Sequence, residues 1–119
     1  MKLAVIGSRS FSDKKMLTDI LNQLENISCI ISGGARGADQ LAEQWAHDNQ
    51  IKTKIFLPNW DQHGKQAGIL RNIQIIENAD ACIAFWDGKS KGTKHSISLC
   101  KKYGKMCTII NINKSSMFE

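Results

Sequence analysis

Proline is nearly absent. The 119 residues include one, Pro58, so no segment reads as a proline-rich linker or stiff spacer. Aromatic residues are also scarce, 7% of the chain, which leaves few side chains for the rows of stacking rings that track a nucleic-acid strand. No stretch approaches the roughly 18 consecutive apolar residues of a membrane-spanning helix, and no membrane partner is expected. The opening MKLAVIGS lacks the apolar length and cleavage site of a secretory signal. A cytoplasmic protein is therefore expected. The four cysteines, Cys29, Cys82, Cys100 and Cys107, form no CxxC pair and no ligand-like spacing with His47, His63 or His95. Free thiols and no metal are expected, with three of the four acting as small hydrophobes inside apolar runs.

Familiar catalytic signatures are missing too. A Walker A loop using Gly88, Lys89 and Ser90 needs glycine at position 83, which is Ile83. The dinucleotide fingerprint fails in part: Gly34 and Gly37 stand at its second and third glycines and Ser32 at its first, but this turn follows the second strand instead of the first, and the next strand ends in Leu57 and Pro58 without the acid that holds a ribose. GxSxG and HExxH do not occur. No motif requires a cofactor.

What the chain does have is order. Its 42% hydrophobic and 23% charged residues suit one compact domain, expected over residues 1–112, with 113–119 as a C-terminal tail. Five apolar, β-branched runs recur along it: KLAVI, ISCII, TKIFL, ACIAFW and MCTIINI. Continuous hydrophobicity of this kind predicts strands covered on both faces. Helical stripes fall between them, the first on Met16, Leu17, Ile20, Leu21 and Leu24. Ser12 is its expected N-cap, with Phe11 and Met16 as a hydrophobic staple. The second stripe runs Ala38, Leu41, Ala42, Trp45 and Ala46, which makes Trp45 a core residue. The third uses Ile69, Leu70, Ile73 and Ile76, and the fourth, the weakest, uses Ile97, Cys100 and Tyr103 from a start near Thr93. Alternating strands and helices predict an α/β fold: a Rossmann-like, three-layer α/β/α domain with a parallel five-stranded sheet, for which 3-2-1-4-5, the usual Rossmann-like order of five strands, is expected.

In such sheets ligands bind beyond the carboxyl ends of the strands, and here the turns at those ends are rich in glycine, hydroxyl and basic groups. GSR (Gly7, Ser8, Arg9) follows the first strand, and SGGARGAD (Ser32 to Asp39) follows the second. The third strand leads into LPNWDQHGKQAGILRN, which holds Trp60, Lys65, Arg71 and Asn72. The fourth leads into WDGKSKGT, with Ser90, Gly92 and Thr93. Two of these turns run directly into helix N-termini, where free N–H groups and the helix dipole favour an anion. Four such turns at one sheet edge point to a phosphate-bearing ligand. The net charge of +5, concentrated in Lys89, Lys91, Lys94, Lys101, Lys102 and Lys105, fits either an acidic partner or a solvated helix face.

The ordered motifs GSR, SGGARGAD, W-D-x-x-G-K-x-A-G-x-x-R-N and K-S-x-G-T, spread over Leu3 to Ile110, closely resemble the YspA-type, YpsA-related branch of the SLOG superfamily. DprA/SMF-like DNA-processing proteins and LOG-type nucleotide phosphoribohydrolases are its kin. The resemblance implies a Rossmann-like fold and a nucleotide-type ligand. It maps Gly7, Ser8, Arg9, Ser32, Gly33, Gly34, Arg36, Gly37, Asp39, Arg71, Asn72, Ser90, Gly92 and Thr93 onto the family's pocket. Within that frame Gly33 and Gly34 would present backbone N–H groups to phosphate. Ser90 and Thr93 would donate hydroxyls, and Arg9 or Arg71 would neutralise charge. Asp39 would accept from a ribose hydroxyl or complement its helix N-terminus. Trp60 would stack on a base or pin its loop, and Lys65 would contact phosphate or stay solvated.

LOG-type enzymes carry PGGxGTxxE. Gly92 and Thr93 match its GT pair, but Ser96 stands at the glutamate and the PGG is absent, which removes the carboxylate that would assist an oxocarbenium ion. Three functions follow in order. The first is a nucleotide-binding sensor, sequestering or regulatory module, and the second a nucleotide hydrolase cleaving an N-glycosidic or phosphate linkage in the same pocket. The third is a DprA-like binder of nucleic acid. The weak amphipathicity of the fourth helix would also suit a homo-oligomer interface.

Overall fold

The computed structural model describes residues 1–112; the expected tail, 113–119, lies outside the described residues. Five parallel strands form one sheet in the order β3-β2-β1-β4-β5. They are β1 (Lys2–Gly7), β2 (Cys29–Ser32), β3 (Lys52–Ile55), β4 (Ala81–Trp86) and β5 (Met106–Asn111). The helices are α1 (Lys14–Asn22), α2 (Ala38–Asp48), the single turn α3 (Trp60–His63), α4 (Ala67–Asn78) and α5 (Lys91–Lys102), with a 3-10 turn at Gly64–Gln66. None is long and apolar enough to cross a membrane, among the described residues.

Strand alternation divides the core into two layers. Leu3, Val5, Ile30, Ile83 and Phe85 meet Leu17 and Leu21 of α1 and Ala42, Trp45 and Ala46 of α2 on one face. Ala4, Ile6, Ile31, Cys82 and Ala84 meet Ile75 and Ile76 of α4 and Leu99 and Cys100 of α5 on the other. Trp45 is buried as expected, and its indole N–H donates to Asn22 Oδ1 at 2.9 Å.

Burial of every strand on both faces does not hold. All of β3 is exposed, and β5 alternates between exposed and half-buried, because the four main helices cover the central strands and leave the edges open. Lys52 and Lys54 on β3 are the kind of charged residue that blunts an open edge against mispairing.

Helix boundaries also shift. α1 is capped by Asp13, not Ser12: Asp13 Oδ1 accepts from the Met16 N–H at 3.0 Å. That moves Phe11 and Met16 out of staple register, and Phe11 instead stacks on Phe85 with ring centroids 4.8 Å apart. In α4, Ile69 and Leu70 are exposed while Ile75 and Ile76 are buried. The inward stripe of α4 thus runs from buried Ala67 through half-buried, polar Arg71 and Asn72 and turns apolar again at Ile75 and Ile76. α5 begins at Lys91 with Ser90 as N-cap, and its buried residues are Thr93, Ser96, Leu99 and Cys100, while Tyr103 is exposed.

Two glycines fix how the first loop meets α2. A Cβ on Gly7 would lie 2.6 Å from the Phe85 carbonyl oxygen and 2.7 Å from Ala38 Cβ. Gly37 has φ +81°, and a Cβ there would run into the Ser8 carbonyl oxygen. Gly92 has open space around it. Gly37→Ala is expected to cost roughly 2 kcal/mol or more in urea unfolding, and Gly92→Ala to be neutral or slightly stabilising.

Candidate functional site

The carboxyl ends of β1, β2 and β4 meet around two adjoining clefts. The larger, about 430 Å³, is lined by Ser8, Arg9, Ala35, Asp39, Arg71, Asn72, Asp87, Ser90, Gly92, Thr93 and Ser96, among others. The smaller, about 270 Å³, is lined by Arg9, Gly33, Gly34, Ala35, Arg36, Leu57, Pro58, Trp60 and Arg71. Arg9, Ala35 and Arg71 are common to both, so the two form one trough.

Its floor is built from the turn after β1. Ser8 is fully buried; its N–H donates to the Phe85 carbonyl at 2.9 Å, and its hydroxyl oxygen accepts from the Asp87 N–H at 3.1 Å. Ser8 therefore joins the turns after β1 and β4, and Arg9, which follows it, is exposed over the trough.

The glycine-rich turn after β2 departs from its expected role. The Gly33 and Ala35 N–H groups donate to Asp39 Oδ2 at 3.1 and 3.2 Å. The Gly34 N–H donates to Ser32 Oγ, whose own proton goes to Glu43 Oε2 at 2.6 Å. The amides expected to meet phosphate are thus occupied by the protein's own oxygens. Gly34, with φ +71°, and Gly37 shape the turn, while Ser32 and Gly37 do not line either cleft. Glu43, one helical turn beyond Asp39, is a supporting residue with no motif to announce it.

Arg71 closes the turn from the other side. Its Nη1 donates to the Gly33 carbonyl at 2.8 Å and its Nε to Asn72 Oδ1 at 3.1 Å. A Cβ on Gly33 would lie 2.5 Å from Arg71 Nη1, so glycine at this position is what admits the guanidinium. Asn72 Nδ2 in turn lies 3.3 Å from His95 Nδ1 on α5. His95, which has no sequence partner, gains one through the packing of α4 on α5.

In the turn after β4, Asp87 Oδ1 accepts from the Lys89 and Ser90 N–H groups, each at 2.8 Å. These bonds, and the Ser8 hydroxyl near it, hold the Asp87 carboxyl below its ordinary value. Ser90 caps α5 and donates its hydroxyl proton to Thr93 Oγ1 at 3.1 Å, which leaves the Thr93 proton for a ligand. Trp60 is 55% exposed at the mouth of the smaller cleft. A Cβ on Gly68 would lie 3.5 Å from its ring, so the indole rests beside α4. Lys65 is exposed and lines neither cleft.

Residues 1–63 match the family model described as YspA, cpYpsA-related SLOG family. The Gene 61 protein of Mycobacterium phage D29 is 34% identical over 113 residues, covering 87% of this chain and 90% of that protein. The chain belongs to the YspA, cpYpsA-related SLOG family. Its fold is also that of DNA processing protein A (DprA) from Streptococcus pneumoniae, with a TM-score of 0.77 at 22% identity over 91% of this chain. DprA from Helicobacter pylori, whose structure concerns its single-stranded DNA binding mode, gives 0.74 at 25% identity over 92%. This chain spans 49% and 64% of the length of those two proteins.

Among the described residues of this SLOG domain, the one strongly perturbed carboxyl is Asp39. Burial raises it to about 6, against the lowering effect of the Ala35 N–H, of Arg71 and of the Gly33 N–H. Burial also lowers Arg71, and the Asp39 charge opposes that shift. A raised carboxyl binds its proton more tightly folded than unfolded, so Asp39 makes stability fall as pH rises from about 4 to about 6 and level off above. The full change is on the order of 3 kcal/mol. Asp39→Asn, which keeps an oxygen acceptor for both amides, is expected to flatten that part of the curve in urea unfolding at a series of pH values. An unchanged pH profile in the variant would assign the slope to other groups.

Proposed function

We propose that this SLOG domain binds a phosphate-bearing nucleotide or nucleotide derivative in the trough, as a cytoplasmic sensing, sequestering or regulatory module. The observation that carries the reading is the smaller cleft: Arg9, Arg36 and Arg71 surround it with no acidic residue in its lining, and Trp60 stands at its mouth. Guanidinium forks match phosphate oxygens two at a time, and an exposed indole offers a face to a base. The larger cleft continues from it with Asn72, Thr93 and Asp39, donors and an acceptor suited to ribose and base edges. Anion recognition in this reading comes from side chains, since the Gly33, Gly34 and Ala35 amides serve the turn itself.

A hydrolase in the same trough is the second reading, and Asp39 is the observation that favours it. A buried carboxyl raised to about 6 can hold or release a proton near neutral pH. Ser96, which lines the larger cleft where LOG-type enzymes carry glutamate, supplies a hydroxyl but no charge. Single-stranded nucleic acid is the third, supported by the likeness to DprA and by a trough that is open and basic along its narrow part.

Thermal denaturation with AMP, GMP, GTP, NAD and ADP-ribose is expected to show concentration-dependent stabilisation by at least one. A flat response across the panel contradicts the proposal. Arg9→Gln and Arg36→Gln, both at exposed side chains, are each expected to weaken that ligand by about tenfold while leaving the unfolding midpoint unchanged. Binding of NAD or ADP-ribose, whose pyrophosphate keeps its charge over this range, is expected to tighten as pH falls through about 6, because protonating Asp39 removes the negative charge that faces Arg71. Free base or phosphate released on incubation would favour the hydrolase. An oligonucleotide that binds with a steep salt dependence, and is not displaced by mononucleotides, would favour the nucleic-acid reading.

A further inference from the structure

The second layer of the core holds a group of side chains that the trough does not use. Cys82 and Cys107 are register partners on neighbouring strands β4 and β5, and Cys100 comes down on them from the last turn of α5. The three sulfur atoms all lie within 4.8 Å of one another. Cys82 and Cys107 occupy the second position of their strands, so the group sits at the amino end of the sheet, opposite the trough. Cys82 and Cys100 are buried, and Cys107 is half-buried, giving an approach from solvent.

We propose that Cys82, Cys100 and Cys107 form a three-thiolate site for a soft, thiophilic monovalent cation, Cu(I) in type. A trigonal metal with metal–sulfur bonds of about 2.3 Å needs sulfurs about 4 Å apart, which small changes in the three χ1 angles supply. Soft thiolates select Cu(I), Zn(II) or iron–sulfur clusters. Structural Zn(II) and cluster sites call for four protein ligands, and among the described residues this group contains no histidine nitrogen or carboxylate oxygen; Cu(I) is satisfied by three sulfurs with no water in the buried space. Cys107, half-buried, is the first of the three that an incoming ion reaches, and it gives up its thiol proton to solvent on ligating. Each further thiol that ligates gives up its proton to solvent. The Lys105 ammonium, bonded to the Ala79 carbonyl at 2.7 Å at the same sheet edge, offsets part of the resulting negative charge.

The test uses the full, reduced chain under nitrogen, titrated with Cu(I) supplied as its bicinchoninate complex. The expected result is one copper per chain withdrawn from the chelator, with a new ultraviolet thiolate-to-copper absorption. Cys107→Ser should lose more than about tenfold in affinity, and Cys29→Ser, whose sulfur lies outside the group, should lose none. Circular dichroism confirms that each variant is folded. Independently of any variant, Cu(I) loading should protect Cys107 from alkylation by iodoacetamide, read by mass spectrometry. Failure to withdraw copper, uptake equal in Cys107→Ser and the native chain, or preferential loading by Zn(II) would each overturn the assignment. The first of these outcomes would leave the sulfurs as packing atoms.

Discussion

The clamp on the turn after β2 is the constraint on which the site depends. Asp39 takes the amides of Gly33 and Ala35, and Arg71 takes the carbonyl of Gly33 between them. A short, glycine-rich segment is thereby held from both sides by a carboxylate on α2 and a guanidinium on α4. Asp39 is buried and Arg71 half-buried, which raises the cost of leaving the carboxylate above all without its partners. The clamp sets the distance between α2 and α4 across the end of the sheet, and so the width of the trough. It also explains why Arg71 faces the smaller cleft with part of its guanidinium already engaged.

A second set of bonds gives the opposite wall its shape. Ser8 ties the turn after β1 to Asp87, and Asp87 gathers the Lys89 and Ser90 amides before α5 begins. The two walls are therefore built alike: in each, an aspartate satisfies the backbone of its own turn. The charges left over for a ligand belong to Arg9 and Arg36, which are exposed, together with the unengaged part of Arg71. Trp60 brings a large exposed aromatic surface to this end of the molecule, and its exposure of 55% distinguishes it from the buried Trp45 and from Trp86, whose indole N–H is tied to the Ser90 carbonyl.

Much of this was legible in the sequence. The five apolar runs and the helical stripes between them yield a parallel α/β sheet, and the order 3-2-1-4-5, expected as the usual Rossmann-like arrangement of five strands, is the order found. The SLOG motifs bring Ser8, Arg9, Asp39, Arg71, Asn72, Ser90 and Thr93 to one edge, where the structure has them lining a common cleft. Four things were hidden for physical reasons. A glycine turn looks the same whether its amides face a ligand or its own aspartate, and only the fold of Asp39 back over residues 33–35 decides between them. Hydrophobic runs look the same at the centre and at the edge of a sheet, so β3 and β5 read as covered. The meeting of Cys82, Cys100 and Cys107 depends on strand register and on where α5 comes to rest, neither of which leaves a trace in spacing. Lys65, placed by its neighbours in the motif, stays on the surface because the 3-10 turn carries it away from the trough.

The central claim, that a nucleotide-type ligand lies along the trough and is held by side chains around the clamp, is tested most directly by residue-resolved NMR. Amide and guanidinium resonances of the isotope-labelled chain would be followed on titration with AMP and with ADP-ribose. Shifts are expected to concentrate on Arg9, Ala35, Arg36, Arg71 and Thr93, while the Gly33 amide stays bonded to Asp39. Shifts confined to the lysines of α5 and the turn after it, or no shifts with either compound, would contradict this claim.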